Sequence, residues 1–217
     1  LLPSIKWDQI NTFTDDYESD MGITSIKTDG NGNIYISGNY NDTVRLTSKF
    51  TVQNTGTENA YVAKLDYNHN WLWVTQLNST DISHVNDLDI GPDGSIYVGG
   101  YFDTDLTLGN LTSPFALSPT GSTLFVAKLD NNGKWMWNKS GGGVTGVNNV
   151  SGLKYDHYSD CVIVGGNVTG DSKFDGLDIT SPGTKGIFGK ISANGDWMWV
   201  DALLGGVNDD NSISQVG

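Results

Sequence analysis

One cysteine, Cys161, stands among 217 residues, so no disulfide within the chain can staple this fold. Its setting, Cys161-Val162-Ile163-Val164, is that of a small buried apolar residue in a strand. Basic residues are scarce: 12 Lys and Arg stand against 25 Asp and Glu, for a net charge of −13. Counterion release at a nucleic acid needs clustered Lys and Arg, so DNA and RNA would be repelled, and anionic membrane surfaces are disfavoured on the same ground. No apolar run approaches the length of a membrane span, so direct insertion is not expected, and no signal peptide is recognisable. A start at Leu1-Leu2-Pro3, without Met, is expected of a chain processed or trimmed from something longer. The three histidines, His69, His84 and His157, share no metal-ligand spacing and read as surface loop residues.

What the chain does have is glycine, 28 of them, with many Asn, Asp, Thr and Ser, and 7 Trp, 9 Tyr and 7 Phe to bury. That mixture suits short strands joined by tight turns. It is also repetitive. Ile34-Tyr35-Ile36-Ser37-Gly38 returns as Ile96-Tyr97-Val98-Gly99-Gly100 and again as Val162-Ile163-Val164-Gly165-Gly166, at offsets of 62 and 66 residues. Tyr61-Val62-Ala63-Lys64-Leu65-Asp66 becomes Phe125-Val126-Ala127-Lys128-Leu129-Asp130 and then Ile187-Phe188-Gly189-Lys190-Ile191. Close behind each comes a W-x-W: Trp71-Leu72-Trp73, Trp135-Met136-Trp137 and Trp197-Met198-Trp199, with the seventh tryptophan, Trp7, assigned to a degenerate copy.

Each copy reads as four antiparallel strands, so the chain is predicted to be all-β. The first strand covers Ile23 to Lys27, Val85 to Asp89 and Val150 to Lys154. A turn such as Asp29-Gly30-Asn31-Gly32 leads to the Ile-Tyr-Ile strand, and Asp-Gly or Asn-Gly there predicts a hairpin with two residues at positive φ. A connection of about twenty residues follows, then the third strand, a tight turn and the W-x-W strand. Strict alternation places both tryptophans of a pair on one face and Leu72 and Val74 on the other. With apolar groups on both faces, a lone sheet could not shield itself, whereas sheets stacked side by side can. The expected layout is therefore the last strand of a preceding copy with a connector over 1–22 (strand Ile5 to Ile10), full copies over 23–84, 85–149 and 150–211, and the start of another over 212–217.

The string Phe125 to Trp137, FVAKLDNNGKWMW, together with the D-G turn and IYVGG at 96–100, resembles the seven-bladed β-propeller repeat family, found in secreted and surface proteins of bacteria and archaea and in giant-virus repeat proteins. The likeness covers nearly the whole chain. It implies β-propeller-type repeats with four-stranded antiparallel blades of about 62–66 residues, a binding or structural role, and no shared catalytic residues or cofactor.

Candidate chemistry is thin. No Ser, Cys or Lys sits in a nucleophile motif, and Gly141-Gly142-Gly143 lacks the lysine and helix of a phosphate cradle. Asp29-Gly30-Asn31-Gly32-Asn33 and Asp66-Tyr67-Asn68-His69-Asn70 start like calcium loops, but Ile34 and Trp71 occupy the sixth place, so both read as hairpin turns. Lys64, Lys128 and Lys190 recur on the third strand as structural ion pairs or snorkelling edge residues. Six N-glycosylation sequons stand at Asn41, Asn78, Asn110, Asn138, Asn149 and Asn167, which suits an extracellular or virion surface protein. The leading expectation is a non-enzymatic scaffold, adhesion or interaction module whose partners are other protein subunits or the rest of its own chain. The variable second-to-third connections would be its contact surface. A carbohydrate-binding lectin using loop or Trp residues is the alternative. An enzyme whose site lies elsewhere is the least favoured.

Overall fold

The computed structural model describes residues 20–109, 111–113, 121–180 and 182–203. The strand expected at Ile5 to Ile10, Trp7, residues 204–217 and the sequon Asn110 lie outside them. The described residues form antiparallel sheets and contain no helix.

Three equivalent units follow one another. The first runs β1 (Met21–Thr28), β2 (Ile34–Tyr40), a two-strand ribbon β3 (Val44–Arg45) and β4 (Thr51–Val52), then β5 (Asn59–Leu65) and β6 (Trp71–Leu77). The second runs β7 (Ser83–Ile90), β8 (Ile96–Phe102), ribbon β9 (Leu106–Leu108) and β10 (Leu111–Ser113), β11 (Thr123–Leu129) and β12 (Trp135–Gly143). The third runs β13 (Asn149–Asp156), β14 (Cys161–Thr169), ribbon β15 (Ser172–Phe174) and β16 (Leu177–Ile179), β17 (Thr184–Ser192) and β18 (Trp197–Ala202). In each unit the four long strands pair in chain order as a meander. The long connections are thus not bare loops, since each folds into its own ribbon.

The hairpin turns correct the two-positive-φ expectation. In the first hairpin Gly32 N–H donates to Asp29 O (3.1 Å), Asp29 N–H to Asn33 O (3.1 Å), and only Gly32 has positive φ, 78°. This is a type I turn closed by one left-handed residue, a geometry that also matches strand twist. Gly94, Gly133 and Gly195 repeat it, and His69 holds the same place at φ 66°. The carboxylate that opens the turn caps it. Asp66 Oδ1 accepts from the amides of Asn68 (2.9 Å) and Asn70 (2.8 Å), and Asp29 Oδ1 does the same for Asn31 and Asn33. The D-x-N-x-N strings are therefore self-capped turns.

Alternation carries successive residues of the inner strands into different cores. Leu124 and Val126 join the third unit's apolar side chains, while Phe125, Ala127 and Leu129 join the first unit's. The tryptophan pairs break this rule. Leu65 lies opposite Trp71 but Lys64 lies opposite Trp73, so Leu72 is an extra, bulged residue, and Met136 and Met198 repeat it. A bulge shifts every following side chain to the other face. Each W-x-W consequently sends one indole to either side of its sheet, contrary to the shared face that strict alternation predicts. Trp71 packs in the first unit's own cluster and Trp73 at the junction with the second unit. Trp135 and Trp137 divide between the two junctions in the same way. The bulged residues are left 48%, 52% and 55% exposed.

The seat of the second indole is a glycine. A Cβ on Gly133 would stand 2.6 Å from the Trp73 ring, and one on Gly195 would stand 2.9 Å from Trp137. On the first unit's other face Tyr40 and Tyr61 pack 6.2 Å apart, and burial pushes both phenols up to about 12.

Gly133→Ala should combine left-handed strain with a clash against the indole and cost about 3–4 kcal/mol. Gly176→Ala has φ 92° but open space within 4 Å, and should cost about 1–2 kcal/mol from the backbone alone. Equal losses on urea unfolding would refute the seating. The two phenols are raised from 10.0, so their stabilising contribution is complete below about 10 and is lost as pH rises through about 12. Ultraviolet titration should show these tyrosinates forming only as the sheet signal disappears, and Tyr61→Phe should move unfolding to higher pH.

Candidate functional site

Two surfaces emerge from this stacking: the unit-to-unit junction and the cleft where the first strands converge. At the junction, residues from four places meet. Trp73 Nε1 donates to Asn131 O (3.0 Å) in the next unit's last hairpin, and Trp137 Nε1 donates to Ala193 O (3.0 Å) in the equivalent turn. Lys64 Nζ lies 4.9 Å from the centre of the Tyr35 ring and donates to Asn131 Oδ1. Lys128 Nζ lies 5.1 Å from the Tyr97 ring and reaches Ala193 O at 3.5 Å. These lysines sit on an interior strand, so the edge-residue expectation fails, and for Lys64 and Lys128 the partner is a ring and a turn oxygen rather than a carboxylate. Burial lowers the Lys64 pKa, with the Asp29 charge opposing it. Lys190 instead lies 3.7 Å from Asp156 of its own unit.

Strands β1, β7 and β13 are the terminal strands of the three long-strand meanders and lie side by side. Their unpaired amides need acceptors, and the preceding unit supplies them. Asp87 Oδ2 accepts from Leu153 N–H (3.0 Å) and Asp89 Oδ2 from Tyr155 N–H (2.8 Å). Asn86 Nδ2 donates to Val150 O (2.7 Å), Asn39 Oδ1 accepts from Val85 N–H (3.1 Å), and Ser25 Oγ donates to Asp87 Oδ1 (2.8 Å). Sequence reasoning missed all of these. Ser25 and Lys27 stand in the first unit where Asp87 and Asp89 stand in the second, so alignment of the copies could not mark them.

The first hairpin turns close the end of these strands into a cleft of about 910 Å³ whose ionisable lining is Lys27, Asp29, Asp89, Asp93, Lys154 and His157. Its carboxylates are already engaged. Asp89 holds Tyr155 N–H, with Lys154 Nζ at 3.5 Å, and Asp93 holds Ser95 through backbone and hydroxyl. Burial pushes Asp29 up, but donors from Asn33, Asn31 and Tyr35 outweigh it and hold its carboxyl below the usual value. Such a cleft can hold a polar surface group. Among the described residues no three His, Cys, Asp or Glu gather as a metal would require.

His69 and His157 lie in turns, as expected, but His84 is a strand residue and not a loop histidine. Its Nε2 lies 2.8 Å from Glu58 Oε2 and its Nδ1 lies 3.2 Å from the Tyr101 hydroxyl, tying the first unit to the second. Cys161 is buried. Of the sequons, Asn41 is exposed and accepts from Asp20 N–H. Asn78 directly follows strand β6 and exchanges backbone hydrogen bonds with Thr107. Asn138 is half-buried within β12. Asn149 and Asn167 face each other across β13 and β14, joined at 3.2 Å. The structure thus brings Asn149 and Asn167 together and keeps Asn41, Asn78 and Asn138 apart.

No known protein family matches the chain by its profile, and no curated protein sequence matches it.

Asp89→Ala would orphan the buried Tyr155 amide and should cost about 1–3 kcal/mol, while Asp29→Ala, in a half-buried turn whose freed Asn31 amide can reach water, should cost less. Hydrogen exchange of Tyr155 N–H should accelerate selectively in the first variant. Unchanged exchange there would refute the role of the carboxylate as an edge cap.

Proposed function

We propose that this chain is a non-enzymatic β-propeller-type repeat module of a secreted, cell-surface or virion protein, serving as a scaffold or adhesion unit that presents its ribbons to other protein surfaces. One observation carries the reading: two successive junctions are built from the same indole, lysine and turn positions, so the units form a stack with a constant frame. A constant frame bearing different loops is the usual architecture of a recognition surface. The ribbons are the parts that differ, and two of them are anchored to a neighbouring sheet. Ribbon β15–β16 adds to the outer strand β12 through Gly142 and Gly143, and β9 bridges to Asn78 beyond β6. Glycans on the exposed sequon Asn41 fit the same surface role.

The lectin reading through W-x-W is the weaker one. Trp135 and Trp197 are buried, and the indole N–H groups of Trp73 and Trp137 are spent on junction carbonyls.

A photo-crosslinking residue placed at Arg45 or Lys173, both exposed on ribbons, should join the intact protein to another protein in its native setting. The same probe at Tyr158, in a turn at the opposite end of the strands, should not. Equal crosslinking from both ends would count against ribbon-mediated recognition.

A further inference from the structure

The third unit presents the corresponding face of a junction with nothing seated on it among the described residues. The four positions that dock forward in the first unit are Tyr35, Val62, Lys64 and Trp73, and in the second they are Tyr97, Val126, Lys128 and Trp137. Their counterparts in the third are Ile163, Phe188, Lys190 and Trp199. Val62 and Val126 are fully buried where they meet the next unit, whereas Phe188 is 37% exposed. Trp199 packs edge-on against Phe188 at 5.5 Å, and Lys190 turns back to its own unit's Asp156. An apolar sheet face with an aromatic pair at its surface is an interaction site in search of cover.

The occupied junctions specify what fits. The receiving unit must offer a left-handed residue without a Cβ under the incoming ring, and a carbonyl two residues earlier for the indole N–H. Gly133 with Asn131 O, and Gly195 with Ala193 O, meet both demands. The first unit does not meet the first. Its turn has the left-handed residue, but that residue is His69, whose side chain starts where the ring would lie. The first unit of a second copy is therefore a poor occupant.

We infer that the Ile163, Phe188, Lys190 and Trp199 face is a docking surface for a further four-stranded repeat unit carrying glycine at the left-handed position of its last hairpin turn. It rejects units with a side chain there. The inference rests on the proposed reading of the chain as a stacking repeat module, and it adds the partner and the rule that selects it.

The test is a chain in which residues 144–203 are duplicated in tandem, so that a Gly195-bearing unit follows Trp199 through the connection that joins the second and third units. Fluorotryptophan NMR of this protein should show the Trp199 resonance losing its solvent isotope shift, as for Trp137, and thermal unfolding should be one transition at a higher Tm than the native chain. Gly195→His in the added copy alone should restore the solvent shift and cancel the gain in Tm. If Trp199 stays wet in the duplicated chain, or if the added copy tolerates histidine, the inference is overturned. Dimerisation of the native chain that Trp199→Ala abolishes would assign the face to a second copy and overturn it as well. The unmodified chain runs alongside: should its three units melt independently, it is the stacking reading that fails, not the selection rule.

Discussion

An indole ring lying on a residue that has no side chain is the contact from which the arrangement of these sheets follows. Burial of Val62, Val98, Phe125, Val126 and Ile187 supplies most of the cohesion, at about 1.5–3 kcal/mol for each large side chain, but that force has no direction. It would hold two sheets together at many offsets. The ring of Trp73 against Gly133, with its N–H on the carbonyl two residues earlier, permits one offset only. The bulge at Leu72 makes this possible, because it lets a single strand serve two cores with two neighbouring tryptophans.

Where two described units meet, the sheet borders are managed by the adjoining unit. At the inner border, Asp87 and Asp89 accept the amides that β13 would otherwise leave open, and at the outer border ribbon β15–β16 extends the sheet beyond β12. Exposed strand edges invite unwanted pairing, and here they are closed by acceptors and short strands rather than by proline or lysine. On the proposed reading of the chain this is a division of labour. Sheets and first strands are consumed by stacking, and the surfaces free to vary are the ribbons.

Much of this was legible in the chain itself. The recurrence of the Ile-Tyr-Ile, Val-Ala-Lys and W-x-W strings marked the unit, its strand order and the burial of both faces, since apolar residues at odd and even positions of Tyr61 to Leu65 admit no solvated side. Cys161 was recognisable as core. The exact face of each tryptophan was not, because a bulge is a relation between two strands and leaves no mark in either one alone. Nor could the role of Lys64 be read, since its ring and its oxygen acceptor come from Tyr35 and from Asn131 of another unit. His84 looked like any loop histidine until the fold brought Glu58 to it.

The amino-acid sequence by itself determined the all-β class, the repeating four-stranded unit and the positions of its turns, because periodicity, glycine placement and the capping aspartates act over a few residues. The tertiary structure alone decided which indole meets which glycine, which carboxylate closes which edge and which face stays uncovered. Those are pairings between residues roughly sixty positions apart, and only the stacking of whole sheets brings such partners within hydrogen-bonding distance.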